Sequence, residues 1–333
     1  MIFLILVVVV LACFISIFYF MKNRKENSIR QCSYGNIKAY NILKNTNDYS
    51  LLKKQLAEAK SFEERYFFSV SISRLYPIEI LERWVSKEPK SADAFLCYGA
   101  RLVQWSWAAR GYGMGNQVGK ERWKVFFERL EKAHSVLMKS ANLMPSDPTP
   151  WAYLIIVSTW NSDDHETRSY YFDQAIERDP YNWAAHMYRV IALSEKWGGD
   201  NEEMISFAER ASINAPPGIE LPAILIKAYL EYWKYLDVFQ DKPDEANTFI
   251  QSEEIQSKAL SAYMRSLGSE NHKETAVSIF AHYNTSAWFW VVRNQKILKH
   301  DLDYLGEKIE DIHWRWAGPE GELNEARSFS NKS

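Results

Sequence analysis

Cysteine is scarce in this chain: three residues among 333. One of them, Cys13, lies in an apolar run, so Cys32 and Cys97 alone cannot supply the disulfide framework typical of small secreted domains. Charge of one sign is missing as well. Lys and Arg number 40 against 42 Asp and Glu, a formal net charge of −2, and the basic residues are scattered among acidic ones. No basic surplus exists to neutralise phosphates, which argues against a nucleic-acid partner. Alternation of period two is nearly absent, which removes the usual signal for half-buried strands.

The motifs of common catalytic centres are missing too. No Gly-x-Ser-x-Gly elbow occurs, and no cysteine sits in a nucleophile's neighbourhood. The seven histidines include no pair at i, i+3 or i, i+4 spacing and no His-Glu-x-x-His, so no metal site is expected. The run Gly111 to Lys120 ends in Gly119-Lys120 like a phosphate loop. It has Met114 where that loop needs glycine and Glu121 where it needs Ser or Thr, and it follows a helical pattern rather than a strand; it reads as an inter-helix loop. Asp163-Asp164-His165-Glu166 reads as a helix start, with Ser162 or Asp163 capping and Glu166 in the first turn. Gly198-Gly199 reads as a helix end ahead of a new helix at Asp200 or Asn201. Paired carboxylates such as Glu202-Glu203, Glu253-Glu254 and Glu310-Asp311 read as solvated helix faces. No catalytic residue and no cofactor are expected.

What is present begins with an uncharged apolar run from Met1 to Met21, about the length a helix needs to cross a bilayer. Residues 1–21 therefore read as an uncleaved transmembrane anchor, because no basic residue precedes the run. Lys22, Arg24, Lys25 and Arg30 follow directly, which directs the body to the cytoplasm. Residues 22–47 form a basic juxtamembrane linker.

From residue 48 to 317 apolar positions recur at helical spacing, as in Leu51, Leu52, Leu56 and Ala59, or Ile78, Leu81, Trp84 and Val85. Prolines at 77, 89, 145, 148, 180, 216, 217 and 243 punctuate these runs. The body is expected to be all-α. Ala287 to Val292 is too short to span a membrane and reads as a buried capping helix. Residues 318–333 read as a polar tail that ends the body loosely.

Two of the breaks repeat. Asp147-Pro148 leads to Trp151-Ala152 and Asp179-Pro180 to Trp183-Ala184, with the two prolines 32 positions apart. Pro216-Pro217 follows 36 positions after Pro180, and Pro89 with Ala92 and Ala94 precedes them. These spacings bracket the tetratricopeptide period, and the region from Pro89 to Trp233 resembles tetratricopeptide-like helical-repeat proteins. The chain is also similar to an uncharacterised bacterial family of such proteins. That similarity rests on Arg110-Gly111, Trp123 with Phe126-Phe127-Glu128-Arg129-Leu130, Pro145-Ser146-Asp147-Pro148-Thr149-Pro150-Trp151, and Lys196-Trp197-Gly198-Gly199 with Glu203-Met204 and Phe207-Ala208. The resemblance implies an α-helical repeat solenoid from a bacterium and no particular activity.

Aromatics are abundant, with 13 Trp and 19 Tyr. Most are expected to fill gaps between stacked helices. Tyr229, Tyr232, Trp233 and Tyr235 crowd one helix on both its faces and are the candidates for contact with a partner, since a solenoid offers a concave binding face. The expected function is a non-catalytic scaffold or adaptor at the bacterial inner membrane that binds another protein or peptide. The alternatives are a toxin-neutralising immunity protein and, in a different class, an envelope glycan-acting enzyme on a helical toroid.

Overall fold

The computed structural model describes residues 48–111, 115–306 and 322–331. All regular structure among the described residues is helical, in agreement with the all-α expectation. The anchor assigned to residues 1–21 and the linker 22–47 lie outside the described residues. Among those that are described, no helix is long and apolar enough to cross a membrane.

In chain order the helices are α1 (Ser50–Ala57), α2 (Phe62–Leu75), α3 (Ile78–Lys87), α4 (Ala92–Arg110), α5 (Lys120–Leu143), α6 (Thr149–Trp160), α7 (His165–Arg178), α8 (Trp183–Leu193) and α9 (Asn201–Asn214). They continue as α10 (Ile224–Lys234), which runs into a π-helical turn (Tyr235–Phe239), then α11 (Pro243–Gln251), α12 (Glu253–Arg265), α13 (Ser278–Val291), α14 (Gln295–Leu305) and α15 (Leu323–Ser330).

Side-chain chemistry fixes where many of them start. Ser61, Ser91, Asp164, Asn182, Asp200, Ser252 and Asn294 each accept a hydrogen bond from the backbone N–H three residues on, which satisfies a donor the helix itself cannot. The cap of α7 is thus Asp164, one or two residues later than the expected Ser162 or Asp163. Ser162 instead lies in the left-handed region at φ 61°.

The helices sort into two rows. In the outer helix α5, buried Phe126, Leu130, Ala133, Leu137 and Ala141 form one stripe. Outer helix α9 buries Asn201, Met204, Ala208 and Ser212 in the same manner. The inner helices have no free face: every residue of α6 from Thr149 to Thr159 is buried, and so is most of α10 and α13. Neighbours in the inner row pack in the order α2, α4, α6, α8, α10, α13. The row then returns to its start, because Phe280 of α13 sits 5.9 Å from the ring of Tyr66 and 6.2 Å from that of Phe67, both on α2.

Tyr66 also meets Tyr153 of α6 at 5.7 Å and Tyr188 of α8 at 6.2 Å. The inner side of the row is therefore filled by the chain's own aromatics, where stacked hairpins alone suggested a concave face. Their hydroxyls pair internally, Tyr66 with Tyr188 at 2.9 Å and Tyr153 with Ser69 at 3.0 Å. Burial pushes the Tyr66 and Tyr153 phenols well above their usual range.

The two Asp-Pro turns share one physical cause. Asp147 accepts from Thr149 N at 2.8 Å and Asp179 from Tyr181 N at 3.3 Å, so each aspartate closes a turn around its proline before the next inner helix begins. Trp151 and Trp183 then occupy matching buried positions at the starts of α6 and α8. Asp147 also links the turn to the rest of the body. Its other oxygen accepts from Arg65 Nε at 3.0 Å, and Arg65 holds Asp93 at 2.7 Å as well, tying this turn to α2 and α4.

Of the expected capping segment Ala287 to Val292, residues Ala287 to Trp290 are buried within α13, but α13 belongs to the inner row and is followed by α14 and α15 instead of capping the body. The C-terminal segment differs from its expectation. Its described part forms α15, with Leu323 and Ala326 buried against α14 and Glu322 accepting from Trp290 Nε1 at 2.7 Å. Two apolar residues three places apart suffice to dock a short helix, a pattern that the polar composition around them hides.

One buried group sets an acid limit. His186 on α8 lies between Phe172 and Phe207, and its Nδ1–H donates to the Asn182 carbonyl at 2.9 Å. Burial pushes its pKa down to about 4 against an opposing hydrogen-bond effect. The unfolded chain therefore takes up this proton near pH 6.5 and the folded chain only near 4. The stability contribution is full above about 6.5 and falls as pH drops towards 4. Urea unfolding at pH 7 and pH 5 is expected to show a loss of about 2 kcal/mol from this residue, and His186→Gln is expected to abolish that part of the loss.

Candidate functional site

A cleft of about 510 Å³ opens where the start of α9 faces the end of α10. One wall is Glu195, Gly199, Asp200, Asn201, Glu202 and Ile205; the other is Tyr232, Tyr235, Leu236 and Gln240, with Lys242 and Glu245 of the α11 segment at the rim.

Local chemistry builds each wall. Gly198 takes φ 79°, a left-handed conformation that glycine adopts without cost. A Cβ on Gly199 would lie 2.2 Å from the Leu193 carbonyl oxygen, so only glycine lets the chain turn this tightly before Asp200 caps α9. The expected helix break at Gly198-Gly199 is found there, and its effect is to bring Asp200 and Glu202 to the cleft. Asn201 then clamps Glu195, accepting from its backbone N at 3.1 Å and donating Nδ2 to its carboxylate at 2.9 Å. On the opposite wall the α-helix widens into a π-turn, which shifts Tyr235 and Leu236 from their α-helical positions. Gln240 donates Nε2 to the Tyr235 hydroxyl at 2.9 Å. Desolvation and the nearby Glu195 carboxylate raise the Tyr235 phenol above its usual range.

Behind the cleft lies a buried charge cluster. Glu231 of α10 binds Lys227 Nζ at 2.6 Å and also Lys196, which belongs to the short turn carrying Glu195. Burial pushes the Glu231 carboxyl up, but Lys196, Lys227 and Lys234 more than offset this and hold it far below the usual carboxylate range. Burial draws the Lys234 amine down to about 7, with Glu231 acting against it. Through Lys196 the cluster fixes one wall of the cleft to the helix that forms the other.

The four aromatics singled out in the sequence separate into two groups. Tyr232 and Tyr235 are half-buried and line the cleft. Tyr229 and Trp233 are buried instead; Tyr229 packs at 5.6 Å on both Phe249 and Trp288. A helix crowded with aromatics on both faces necessarily spends one face on the core. The carboxylates of the cleft escape a sequence reading because Glu195, Glu202 and Glu245 come from three separate segments.

The cleft's charged lining is four carboxylates against the single amine of Lys242, which Glu245 already holds at 3.0 Å. Two phenol rings beside an acidic rim suit a cationic side chain, which gains both Coulomb attraction and contact with the ring faces.

A second grouping joins residues of α13 and α14. His282, His300 and Asp301 place one potential ligand atom each within 4.8 Å of one another, the one such trio among the described residues. The sequence leads to no expectation of a metal, because spacing within a single helix is all it offers; these ligands face each other across two.

No family model, curated protein or solved structure matches the chain.

The buried cluster makes a measurable prediction. Glu231→Gln leaves three lysines around an uncharged amide and is expected to lower the unfolding free energy by about 3–5 kcal/mol, read as a lower urea midpoint. The native carboxyl holds its proton less tightly than the unfolded one. Its contribution is therefore present above about pH 4.5 and lost as pH falls below, a loss that Glu231→Gln should not show.

Proposed function

We propose that this chain is a non-catalytic, membrane-anchored helical-repeat adaptor that holds a basic segment of another protein in the cleft between α9 and α10. The observation that carries the reading is the cleft itself: Tyr232 and Tyr235 on one wall, with Glu195, Asp200, Glu202 and Glu245 around them. A lysine- or arginine-bearing segment entering there meets attraction from the rim and ring faces within, while a partner of the opposite charge is repelled.

The tetratricopeptide-like reading of the scaffold is supported by the equivalence of the two Asp-Pro turns and of Trp151 and Trp183 behind them. In this reading the hairpins follow the repeat spacing, while the inner row curls until its ends touch, so recognition moves from a concave face to the junction of α9 and α10. The apolar run 1–21 and its basic flank support an anchor in the bacterial inner membrane with the body in the cytoplasm. Anchoring raises the local concentration of the cleft at the membrane surface.

The test is site-directed photocrosslinking in the native cell. A photoreactive residue in place of Gln240 at the cleft edge is expected to capture a protein through a Lys- or Arg-rich segment. A synthetic peptide of that segment should bind the purified chain, and the double reversal Glu202→Lys, Glu245→Lys should weaken binding tenfold or more at low salt and less at high salt. Crosslinks to an acidic or apolar segment, affinity indifferent to the reversal, a C-terminal reporter outside the cytoplasm, or hydrolysis of envelope glycans by the purified chain would each contradict a part of this reading.

A further inference from the structure

Asp301 of α14 is fully buried and has no lysine or arginine among its hydrogen-bond or ion-pair partners. Its two oxygens are used differently. Oδ2 accepts from the Thr285 hydroxyl at 2.5 Å. Oδ1 is the meeting point of three groups: His282 Nδ1 at 2.8 Å, the Tyr263 hydroxyl at 3.2 Å and His300 Nδ1 at 3.4 Å. The Tyr263 hydroxyl also lies 2.9 Å from His300 Nδ1.

An ion held about 2.0–2.1 Å from tetrahedral ligands sets those ligands about 3.3 Å apart. Within the trio, His300 Nδ1 already lies near that value from Oδ1, at 3.4 Å, while His282 Nδ1, at 2.8 Å, draws back slightly when an ion enters. His282 is locked, with its ring stacked on Tyr304 at 3.9 Å, and the Tyr304 hydroxyl donates to Glu274 at 2.8 Å. His300 has 60 % of its side chain exposed. Binding an ion requires His300 to exchange its 2.9 Å contact with the Tyr263 hydroxyl for the metal, and its exposed edge admits a water as fourth ligand. The Thr285 hydroxyl on the distal oxygen supplies the outer hydrogen bond that orients a metal-binding carboxylate.

We infer that His282, His300 and Asp301 form a binding site for one divalent transition-metal ion, with zinc as the ion of best fit, clamping α13 to α14. Two imidazoles and a carboxylate suit zinc, which accepts nitrogen, oxygen or sulfur donors in tetrahedral array, over calcium or magnesium, which require more oxygen ligands. The clamp sits in the hairpin whose inner helix carries Phe280 back to α2, so a bound ion braces the place where the inner row closes. The inference is independent of the cleft reading, since the two sites share no residue.

The full chain, without an affinity tag, is stripped with chelator in detergent and dialysed against zinc. Retention of one equivalent per chain, a Tm raised by several degrees, and at least tenfold weaker binding in His300→Ala are the expected results; replacing zinc with cobalt should give the intense visible bands of a four-coordinate site. His300→Ala removes an exposed side chain and is expected to fold, and Thr285→Val, which removes only the hydroxyl on Oδ2, offers a second variant that should weaken binding. Binding well below one equivalent, or stoichiometric binding that neither variant diminishes, overturns the site.

Discussion

The structure depends on a constraint carried by two of its inner helices, α6 and α13: without a single Asp, Glu, Lys or Arg, they are too apolar to face water on any side. Helix α6 reads Thr-Pro-Trp-Ala-Tyr-Leu-Ile-Ile-Val-Ser-Thr-Trp, without one charge, and is buried throughout its length but for its last residue. Outer helices cover one side of such a row. The other side must be covered too, because leaving a Leu or Ile side chain in water forfeits roughly 1.5–3 kcal/mol each. The chain meets this by returning α13 to α2 and filling the middle with rings. Tyrosine suits that position because its hydroxyl can pair with another hydroxyl, as Tyr66 does with Tyr188, so the filled centre leaves these polar atoms satisfied.

From that packing follow the places where chemistry survives. With the inner side filled, the cleft described above opens where the hairpin stack is interrupted. The junction of α9 and α10 is such a place, since the Gly198-Gly199 turn on one side and the π-turn on the other hold the walls apart, and the Lys196–Glu231 pair fixes their distance. The α13–α14 hairpin holds a different kind of chemistry. There a buried aspartate is in contact with imidazoles, and no lysine or arginine is among its hydrogen-bond or ion-pair partners.

Much of the local structure was legible in the sequence because it depends on near neighbours. Helical periodicity, the Asp-Pro turns and the Gly198-Gly199 break all act within a few residues, and each was found where its chemistry placed it. What escaped depends on distant pairs. The return of α13 to α2 joins Phe280 to Tyr66, and no pattern within either helix announces it. His282 and His300 belong to different helices, so a search for metal pairs along one helix passes over them. Tyr229 and Tyr232 differ in fate through three places along one helix, which periodicity alone does not resolve when both faces are aromatic.

The closure of the inner row is the claim on which the rest stands, and a double-mutant cycle between Phe67 and Phe280 tests it most directly. Each is changed to Leu, alone and together, and unfolding free energies are measured in urea. Rings in contact are expected to couple by about 0.5–1.5 kcal/mol. Additivity within about 0.3–0.5 kcal/mol would mean that the two side chains do not meet and that the row is open.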